Sequence, residues 1–129
     1  MFDLKVYYED TDSGGVVYYA NYLKFLERAR TELIHSLDLT NKKILQSFDI
    51  LLVVKSCEIE YVKPAYLEDL LTVQTNLEKL SKVQMHLSQS IYRDKEILVK
   101  AKIRIAFVNR QGEILKLPNE LFLKFRMIK

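Results

Sequence analysis

The chain has 129 residues, of which 49% are hydrophobic and 29% charged, and its formal net charge is +3. These values are typical of a single soluble domain with a modest core, spanning residues 1–129, and the charge is too small to indicate nucleic acid as a partner. No apolar run approaches the ~20 residues that span a bilayer. The N-terminus lacks the features of a signal peptide, and the single cysteine, Cys57, cannot form an intramolecular disulfide, so we expect a cytoplasmic protein.

The first half of the chain predicts a strand, an acidic loop and a long helix. Residues 4–8 have the composition of a strand. From Tyr22 onward, apolar side chains recur at three- and four-residue steps and form one stripe, which predicts a helix over residues 20–37. Residues 40–48 follow as a short helix or a loop.

The second half changes to a period of two, which is typical of strands. Residues 121–128 end the chain as a final strand or a short helix. The runs before them are apolar on one face and polar on the other, and the last links between them are short enough for hairpins. These runs cover residues 50–54, 57–62, 70–80, 83–92 and 99–107. The sequence therefore predicts an α+β fold, with one long helix against a curved antiparallel sheet whose exposed edge favours dimerisation.

The acidic loop has several interpretations. The segment YYEDTDSGGVVYYANY carries three carboxylates, followed by two of the three glycines of the chain. Asp10, Asp12 and Gly15 imitate the start of an EF-hand calcium loop, but position 5 lacks a side-chain ligand and position 12 is not a glutamate. An Asp-x-Asp pattern also occurs in phosphoryl-transfer loops, which need a parallel sheet. Both interpretations are therefore disfavoured.

A single carboxylate beside a helix N-terminus explains the same residues together. Gly14 and Gly15 let the backbone turn sharply and approach a ligand. Unpaired N–H groups at the start of a helix suit an oxyanion that develops on a carbonyl oxygen. Asp12 would then attack the carbonyl carbon or activate water. A simple polar turn, which Asp and Gly clusters usually mark, stays open as the alternative.

The segment VYYEDTDSGGVVYYANYLKFLERARTEL resembles the signature of hotdog-fold acyl-CoA thioesterases. The similarity is greatest to the group that includes 4-hydroxybenzoyl-CoA thioesterase and the Tol-Pal-associated, YbgC-type enzymes. A second segment, IEYVKPAYLEDLLTVQT, is similar to the strand–turn–strand that follows the helix in this family. The resemblance implies a hotdog fold with five or six strands over residues 1–129. It also implies hydrolysis of a short-chain or aromatic acyl-CoA to the free acid and CoA.

The resemblance implies roles for individual residues of the acidic loop. Asp12 matches the catalytic carboxylate, which acts as a nucleophile or a general base. The backbone N–H of Tyr19 matches the group that polarises the thioester carbonyl, and Gly15 and Val16 line the turn. Many YbgC-type members have His in place of Tyr19, so no histidine-assisted step is available from this position.

Other residues have weaker assignments. Tyr18, together with Tyr7, Tyr8 and Tyr19, is a candidate for the wall of an acyl pocket, although core packing is favoured for at least two of the four. Lys63 and Lys82 are candidates for contacts with CoA phosphates. Among the remaining residues we expect Cys57 to be buried, Asn21 to cap the helix, one of Glu9 and Asp10 to cap the turn, and His35 and His86 to have no catalytic role.

The family resemblance also implies an assembly and its partners. We expect a homodimer or a dimer of dimers with active sites at the subunit interface, an acyl-CoA substrate, and no metal or redox cofactor. An acyl carrier protein is a further candidate partner. The rival function is a non-catalytic hotdog module that binds acyl-CoA or an acyl carrier protein. Asp12 beside the two glycines favours the enzyme.

Overall fold

In a computed structural model that describes residues 1–129, one antiparallel sheet of five strands curves around a long helix. The strands are arranged in the order β1-β3-β4-β5-β2, and every neighbouring pair is antiparallel. The elements in chain order are β1 (Phe2–Lys5), α1 (Tyr19–His35), α2 (Asn41–Phe48), β2 (Leu51–Tyr61), β3 (Leu70–Leu80), β4 (Gln84–Arg93), β5 (Glu96–Val108) and α3 (Asn119–Phe125). The predicted α+β architecture is confirmed.

The apolar stripe of α1 packs against the inner face of the sheet, as its spacing predicts. The helix buries five apolar side chains, namely Tyr22, Phe25, Leu26, Ala29 and Ile34. The inner faces of β3, β4 and β5 supply alternate apolar residues to the same core. The opposite face of the sheet is polar, so each of these strands shows the period of two expected for a sheet covered on one side.

One buried polar residue, Gln89, fastens α1 to the sheet. Its side chain is 1% exposed and lies among apolar residues on the inner face of β4. Its amide nitrogen donates to the Leu26 carbonyl at 3.1 Å and to the Thr75 hydroxyl at 3.0 Å. Its amide oxygen accepts from Arg30 at 2.9 Å, and burial lowers the pKa of this arginine. All polar groups of Gln89 are thereby satisfied, as burial requires.

Two strand boundaries differ from the predictions, each for a local reason. The first strand ends at Lys5 rather than residue 8, because the N–H of Tyr7 donates to the Asp10 carboxylate and curls the chain into a 3₁₀ turn. The two runs at 50–54 and 57–62 form one strand, β2, in which the pairing with β5 shifts between Val54 and Ser56. This bulge reverses the alternation halfway along β2 and makes the sequence look like two strands.

Strand β2 forms an exposed edge of the sheet. It pairs with β5 on one side and with no strand on the other. Cys57 lies in the middle of this edge and is exposed, so the prediction that it is buried was wrong. The many β-branched and apolar residues of this segment predict a buried strand, whereas its place at the edge depends on the topology of the whole sheet.

The C-terminal segment closes one end of the inner face. Residues 119–125 form helix α3, which decides between the predicted strand and helix. Phe125 packs against Phe107 of β5, with ring centroids 5.8 Å apart. None of the three helices combines the length and the apolar character needed to cross a bilayer.

We predict that Gln89→Leu lowers the free energy of unfolding by about 1–3 kcal/mol, because Arg30 and the Thr75 hydroxyl lose a buried partner. Urea denaturation followed by circular dichroism measures this change. Ser90→Ala, on the outer face of the same strand, is the control and should stay within about 0.5 kcal/mol of wild type. An equally small effect for Gln89→Leu would contradict the role given to this residue.

Candidate active site

The acidic loop is a tight turn closed by its own backbone. The N–H of Asp12 donates to the Val16 carbonyl at 2.9 Å, and the N–H of Gly15 donates to the Asp12 carbonyl at 3.1 Å. Thr11 and Val17 form an antiparallel bridge below the turn. The carboxylate of Asp12 is exposed at the tip, where its Oδ1 accepts from the Gly14 N–H at 2.8 Å. Its Oδ2 accepts no hydrogen bond within the chain, so this oxygen is free to react.

The two glycines have different tasks in this turn. Gly15 has a φ of +79°, in the left-handed region that favours glycine. Gly14 lies against the catalytic candidate, since a Cβ added there would stand 3.3 Å from Asp12 Oδ1. The pair thus closes the sharp turn that the sequence predicted, and it also leaves room for the carboxylate; the approach of a ligand stays a prediction.

Helix α1 begins without a side-chain cap. Its N-cap residue, Tyr18, makes no capping hydrogen bond through its side chain, and the first turn contains no acidic residue. The N–H of Asn21 donates to the Tyr18 carbonyl at 2.9 Å. The N–H groups of Tyr19 and Ala20 have no acceptor in the chain. Two donors at the positive end of the helix are therefore available to a ligand.

Asp10 and Asn21 join the loop to this helix end. The Asp10 carboxylate is buried and accepts from the Tyr7 N–H at 2.9 Å, so it caps the 3₁₀ turn, whereas Glu9 is exposed, as predicted. The Asp10 carbonyl accepts from the Tyr18 N–H and from the Asn21 side chain, at 3.0 and 2.8 Å. The prediction that Asn21 caps the helix was wrong, because this residue lies inside the first turn and its side chain points back to the loop.

The tyrosines around the loop are on the surface. Tyr7, Tyr8, Tyr18 and Tyr19 are 60, 81, 58 and 66% exposed, so the prediction that at least two of them pack in the core was wrong. The Tyr19 ring lies 4.8 Å from that of Tyr61 at the end of β2. These rings form an aromatic surface beside the free N–H of Tyr19, and the use of Tyr18 as a pocket wall stays a prediction.

Tyr22 is the buried anchor below this surface. Its ring lies 5.6 Å from that of Tyr61, and its hydroxyl oxygen accepts from the Ala65 N–H at 3.0 Å. Burial raises the pKa of Tyr22, which keeps its hydroxyl protonated at neutral pH. Because Tyr22 is one turn beyond Tyr19, it fixes the start of α1 against the segment that contains Ala65.

The two lysines chosen for phosphate contacts lie at opposite ends of the molecule. Lys63 is near the loop and its ammonium is 2.7 Å from the Glu96 carboxylate. Lys82 is in the β3–β4 hairpin, where it donates to the Asn119 side chain at 2.5 Å. The ten residues of β4 separate this hairpin from the end of the sheet nearest Asp12, a distance of about 30 Å. A single chain does not bring Lys82 to the loop, and both phosphate contacts stay predictions.

The structure also disfavours the calcium-loop and phosphoryl-transfer interpretations of the acidic loop. The buried Asp10 carboxylate is already engaged, which leaves an EF-hand calcium loop without a second ligand. The antiparallel sheet does not supply the parallel strands that the phosphoryl-transfer interpretation needs. No group of three or more His, Cys, Asp or Glu side chains is arranged to hold a metal ion. His35 and His86 lie on the last turn of α1 and on the outer face of β4, outside the loop.

The family of the chain follows from its match to known proteins. The family model described as "Thioesterase-like superfamily" matches residues 6–125. The chain belongs to the thioesterase-like superfamily. It is 42% identical over 108 residues to the acyl-CoA thioesterase YbgC of Haemophilus influenzae, covering 84% of this chain and 79% of that protein. It is 36% identical over 115 residues to the acyl-CoA thioesterase YbgC of Helicobacter pylori, covering 82% and 84%.

The solved structures agree with this assignment to the thioesterase-like superfamily. The crystal structure of a probable thioesterase from Bartonella henselae superposes with a TM-score of 0.87 at 35% sequence identity, covering 91% of this chain and 97% of that one. The predicted hotdog fold and the predicted resemblance to YbgC-type thioesterases are therefore confirmed.

Several residues near the site of this thioesterase-like chain were not found from the sequence. Ala65 and Leu67 pair with the acidic loop, and Asp69 and Arg93 hold the segment that contains them. These residues lie far from the loop in sequence, and none of them forms a motif by itself. Two signals were present, namely Pro64, which marks a turn before β3, and the family resemblance of residues 59–75, but neither shows the contact of this segment with the loop.

We predict that Gly15→Ala and Gly112→Ala destabilise the fold similarly, by about 1–2 kcal/mol each, because both positions have positive φ and open space for a Cβ. Only Gly15→Ala should also lower the rate of thioester hydrolysis, since it lies beside Asp12. Thermal unfolding and a thiol-release assay measure the two effects. Equal activities in the two variants would show that the turn geometry does not matter for function.

Proposed function

We propose that this chain hydrolyses the thioester of a short-chain or aromatic acyl-CoA to the free acid and CoA. One observation carries the proposal. The exposed carboxylate of Asp12, in which only Oδ1 accepts a hydrogen bond, belongs to the same turn that leads to the uncapped start of α1. The Tyr18 N–H donates to the Asp10 carbonyl at 3.0 Å and joins the start of α1 to the loop, which supports a single site between the carboxylate and the two unpaired N–H groups. The YbgC relatives, which are named acyl-CoA thioesterases, support the same reaction. The whole chain, residues 1–129, acts as one domain in a cytoplasmic setting.

The thioester carbonyl oxygen accepts from the Tyr19 N–H, with Gly15 and Val16 lining the turn beneath it. Charge that develops on this oxygen in the tetrahedral transition state is stabilised by the N–H groups and by the helix dipole. The donors are fixed before the substrate arrives, so no backbone rearrangement is needed during the reaction. The side chain at position 19 takes no part in this step.

Asp12 Oδ2 supplies the other half of the reaction, by one of two routes. As a nucleophile it attacks the carbonyl carbon, CoA leaves as the thiolate, and water then hydrolyses the Asp12–acyl anhydride. As a general base it takes a proton from water, which attacks the carbonyl carbon directly. The bond from Gly14 to Oδ1 holds the carboxylate in place for either route. A single turnover in H₂¹⁸O identifies the nucleophile route if water attacks the Asp12 carbonyl carbon of the anhydride, because ¹⁸O then enters the Asp12 side chain, which the general-base route never labels.

The exposed aromatic rings suit the acyl group. Tyr18, Tyr19 and Tyr61 lie beside the free N–H groups, and an acyl chain or aryl ring packed on them would leave water. Burial raises the pKa of Tyr61, so its hydroxyl stays neutral beside an apolar group. Lys63 is the nearer candidate for a CoA phosphate, and Lys82 contributes only from a second copy of the chain.

The exposed edge of β2 supports a homo-oligomer, either a homodimer or a homotetramer. This edge has eleven residues and includes the exposed side chains of Val54 and Tyr61. An uncovered strand of this length is a template for pairing with a second copy. Tyr61 ends this strand, so a partner on the edge lies next to the tyrosine surface and the active site. An acyl carrier protein, which presents the same thioester chemistry, is a further candidate partner.

We predict that Asp12→Asn lowers kcat for the best acyl-CoA substrate by at least about 100-fold, because the amide keeps the size of the side chain but cannot attack or accept a proton at neutral pH. Thiol release across acyl-CoA chain lengths and aryl-CoAs measures the rate. Glu9→Gln is the matched control, since Glu9 is an exposed carboxylate of the same loop and makes no hydrogen bond.

Two outcomes would contradict this mechanism. If Asp12→Asn hydrolyses the best substrate as fast as wild type, the carboxylate is not the reacting group. If wild type cleaves no acyl-CoA or acyl-carrier thioester yet binds them, the chain is the non-catalytic binding module.

We also predict that the chain, which has a mass of 15.2 kDa, elutes at about twice this mass or more when measured by light scattering at micromolar concentration. Val54→Asp places a charge at the β2 edge and should shift the mass toward the monomer. Val83→Asp, an exposed valine in the distant β3–β4 hairpin, should not. A monomeric wild type would rule out a site shared between subunits.

A further inference from the structure

Arg93, at the end of β4, holds three separate points of the segment that precedes β3. Its guanidinium donates to the Asp69 carboxylate at 2.7 Å and to the Pro64 carbonyl at 3.2 Å. It also stands 5.6 Å from the centroid of the Tyr66 ring. The same Asp69 oxygen accepts from the Tyr66 N–H at 2.8 Å. Arg93 is 24% exposed and Asp69 is 21% exposed, so these contacts are largely shielded from water.

Residues 65–67 of this segment, which we name the ledge, support the acidic loop. The Val17 N–H donates to the Ala65 carbonyl at 2.9 Å, and the Leu67 N–H donates to the Gly15 carbonyl at 3.2 Å. Val16 and Tyr66 complete an antiparallel bridge. Residues 15–17, which follow the Asp12 turn, are therefore paired directly with the ledge. A shift of the ledge would carry Gly15 and Val17 with it, and the turn and the start of α1 are attached to these two residues.

The geometry points to Arg93 as a positioning residue for thioester hydrolysis. Arg93 fixes the ledge, and the ledge fixes the distance between Asp12 and the Tyr19 N–H. This inference rests on the proposed function for the chemistry of these two groups. Arg93 touches neither of them, and it acts only through Asp69, Pro64 and Tyr66. Nothing in the family motif around Asp12 includes it.

Two further charged side chains, Glu96 and Lys63, lie next to Arg93. Its second nitrogen donates to the Glu96 carboxylate at 2.6 Å, and Lys63 holds the other oxygen of this carboxylate at 2.7 Å. Hydrogen bonds from Lys63 and then Arg93 lower the pKa of Glu96, while those to Asp69 and Glu96 raise the pKa of Arg93. Glu96 belongs to β5, makes no contact with the ledge and is 38% exposed, so this ion pair adds little to the position of Arg93.

The planar guanidinium is needed for this task. It offers donors in fixed directions, so one side chain can reach a carboxylate and a backbone carbonyl while its face lies near a ring. A lysine at position 93 carries the same charge as a single point and cannot make these contacts together. Arg93→Lys therefore separates the contribution of the positive charge, which it keeps, from that of the directed hydrogen bonds, which it loses.

The test compares Arg93→Gln, Arg93→Lys and Glu96→Gln with wild type. We expect Arg93→Gln to lower kcat by about 10- to 100-fold, because a misplacement of about 1 Å between reacting groups has an effect of this size. Its KM should stay within about threefold, since the tyrosine rings that contact the acyl group are not substituted and the shift mainly affects the reacting groups. Arg93→Lys should recover only part of the loss. Glu96→Gln, which breaks one ion pair of the same arginine but spares the ledge, should stay within about twofold of wild type.

Amide hydrogen exchange gives a second readout that does not depend on activity. In Arg93→Gln the N–H groups of Val17 and Leu67, which bridge the loop and the ledge, should exchange at least about tenfold faster than in wild type. In Glu96→Gln their exchange should not change. Amides of α3 serve as the internal reference, since a general loss of stability would speed their exchange as well.

The outcomes separate this inference from the proposed function. If Arg93→Gln keeps wild-type kcat and wild-type protection at Val17 and Leu67, the positioning role is overturned, whatever Asp12→Asn shows. Equal loss of protection in α3 would mean a merely structural role and would also overturn it. If Asp12→Asn is fully active, the chemistry is wrong, and the exchange measurement still decides whether Arg93 holds the ledge. Should Arg93→Gln not fold, Asp69→Asn removes the same ion pair and must give the same pattern.

Discussion

The pairing between residues 15–17 and the ledge is the interaction on which the site depends. It consists of a few backbone hydrogen bonds between segments about fifty residues apart, each worth only about 0.5–1.5 kcal/mol net. Hydrogen bonds this few and this weak keep the loop in position only if both the loop and the ledge are also held by other contacts. The Tyr22 hydroxyl and the Arg93 guanidinium fix the ledge, and Asp10 fixes the loop and the helix end. The turn, the helix and the sheet thereby become one rigid unit around Asp12.

The site contains groups that are unfavourable in the free protein and that a ligand or a partner would satisfy. A long helix begins without a capping side chain and leaves the N–H groups of Tyr19 and Ala20 unpaired. Four large tyrosines are exposed beside it, and β2 presents an unpaired edge. Departures of this kind are expected at functional sites and interfaces rather than at random positions. A bound thioester would accept from the free donors, cover the rings and thereby satisfy these groups.

The sequence predicted the elements well because their signals are local. The stripe of α1 and the alternation in β3, β4 and β5 depend only on neighbouring residues, and these elements were found within a few positions. The Asp12 turn was also predictable, since the three carboxylates and two glycines of the loop lie within seven residues. The bulge in β2 was not, because a reversal of alternation is defined only by the partner strand. The prediction that Cys57 is buried was wrong because the place of β2 at the edge depends on the topology of the whole sheet.

The supporting residues could not be predicted from sequence patterns. Ala65 and Asp69 lie in the segment between β2 and β3, whereas Arg93 ends β4, and only the folded sheet brings them to the loop. The family resemblance singled out Asp12, but the acidic run by itself does not show why Asp10 is structural while Asp12 is free, since both are aspartates. The difference comes from Tyr7, whose N–H captures the first carboxylate, and from Gly14, which leaves one oxygen of the second unpaired.

A crystal structure with an acyl-CoA analogue in which a methylene group replaces the thioester sulfur would show whether Asp12 and the start of α1 share one substrate. We predict that the ketone oxygen lies about 2.7–3.1 Å from the Tyr19 nitrogen. We also predict that the carbonyl carbon, or a water beside it, lies about 3–3.5 Å from Asp12 Oδ2. An analogue bound with its carbonyl away from the start of α1, or with Asp12 pointing away from it, would contradict this mechanism.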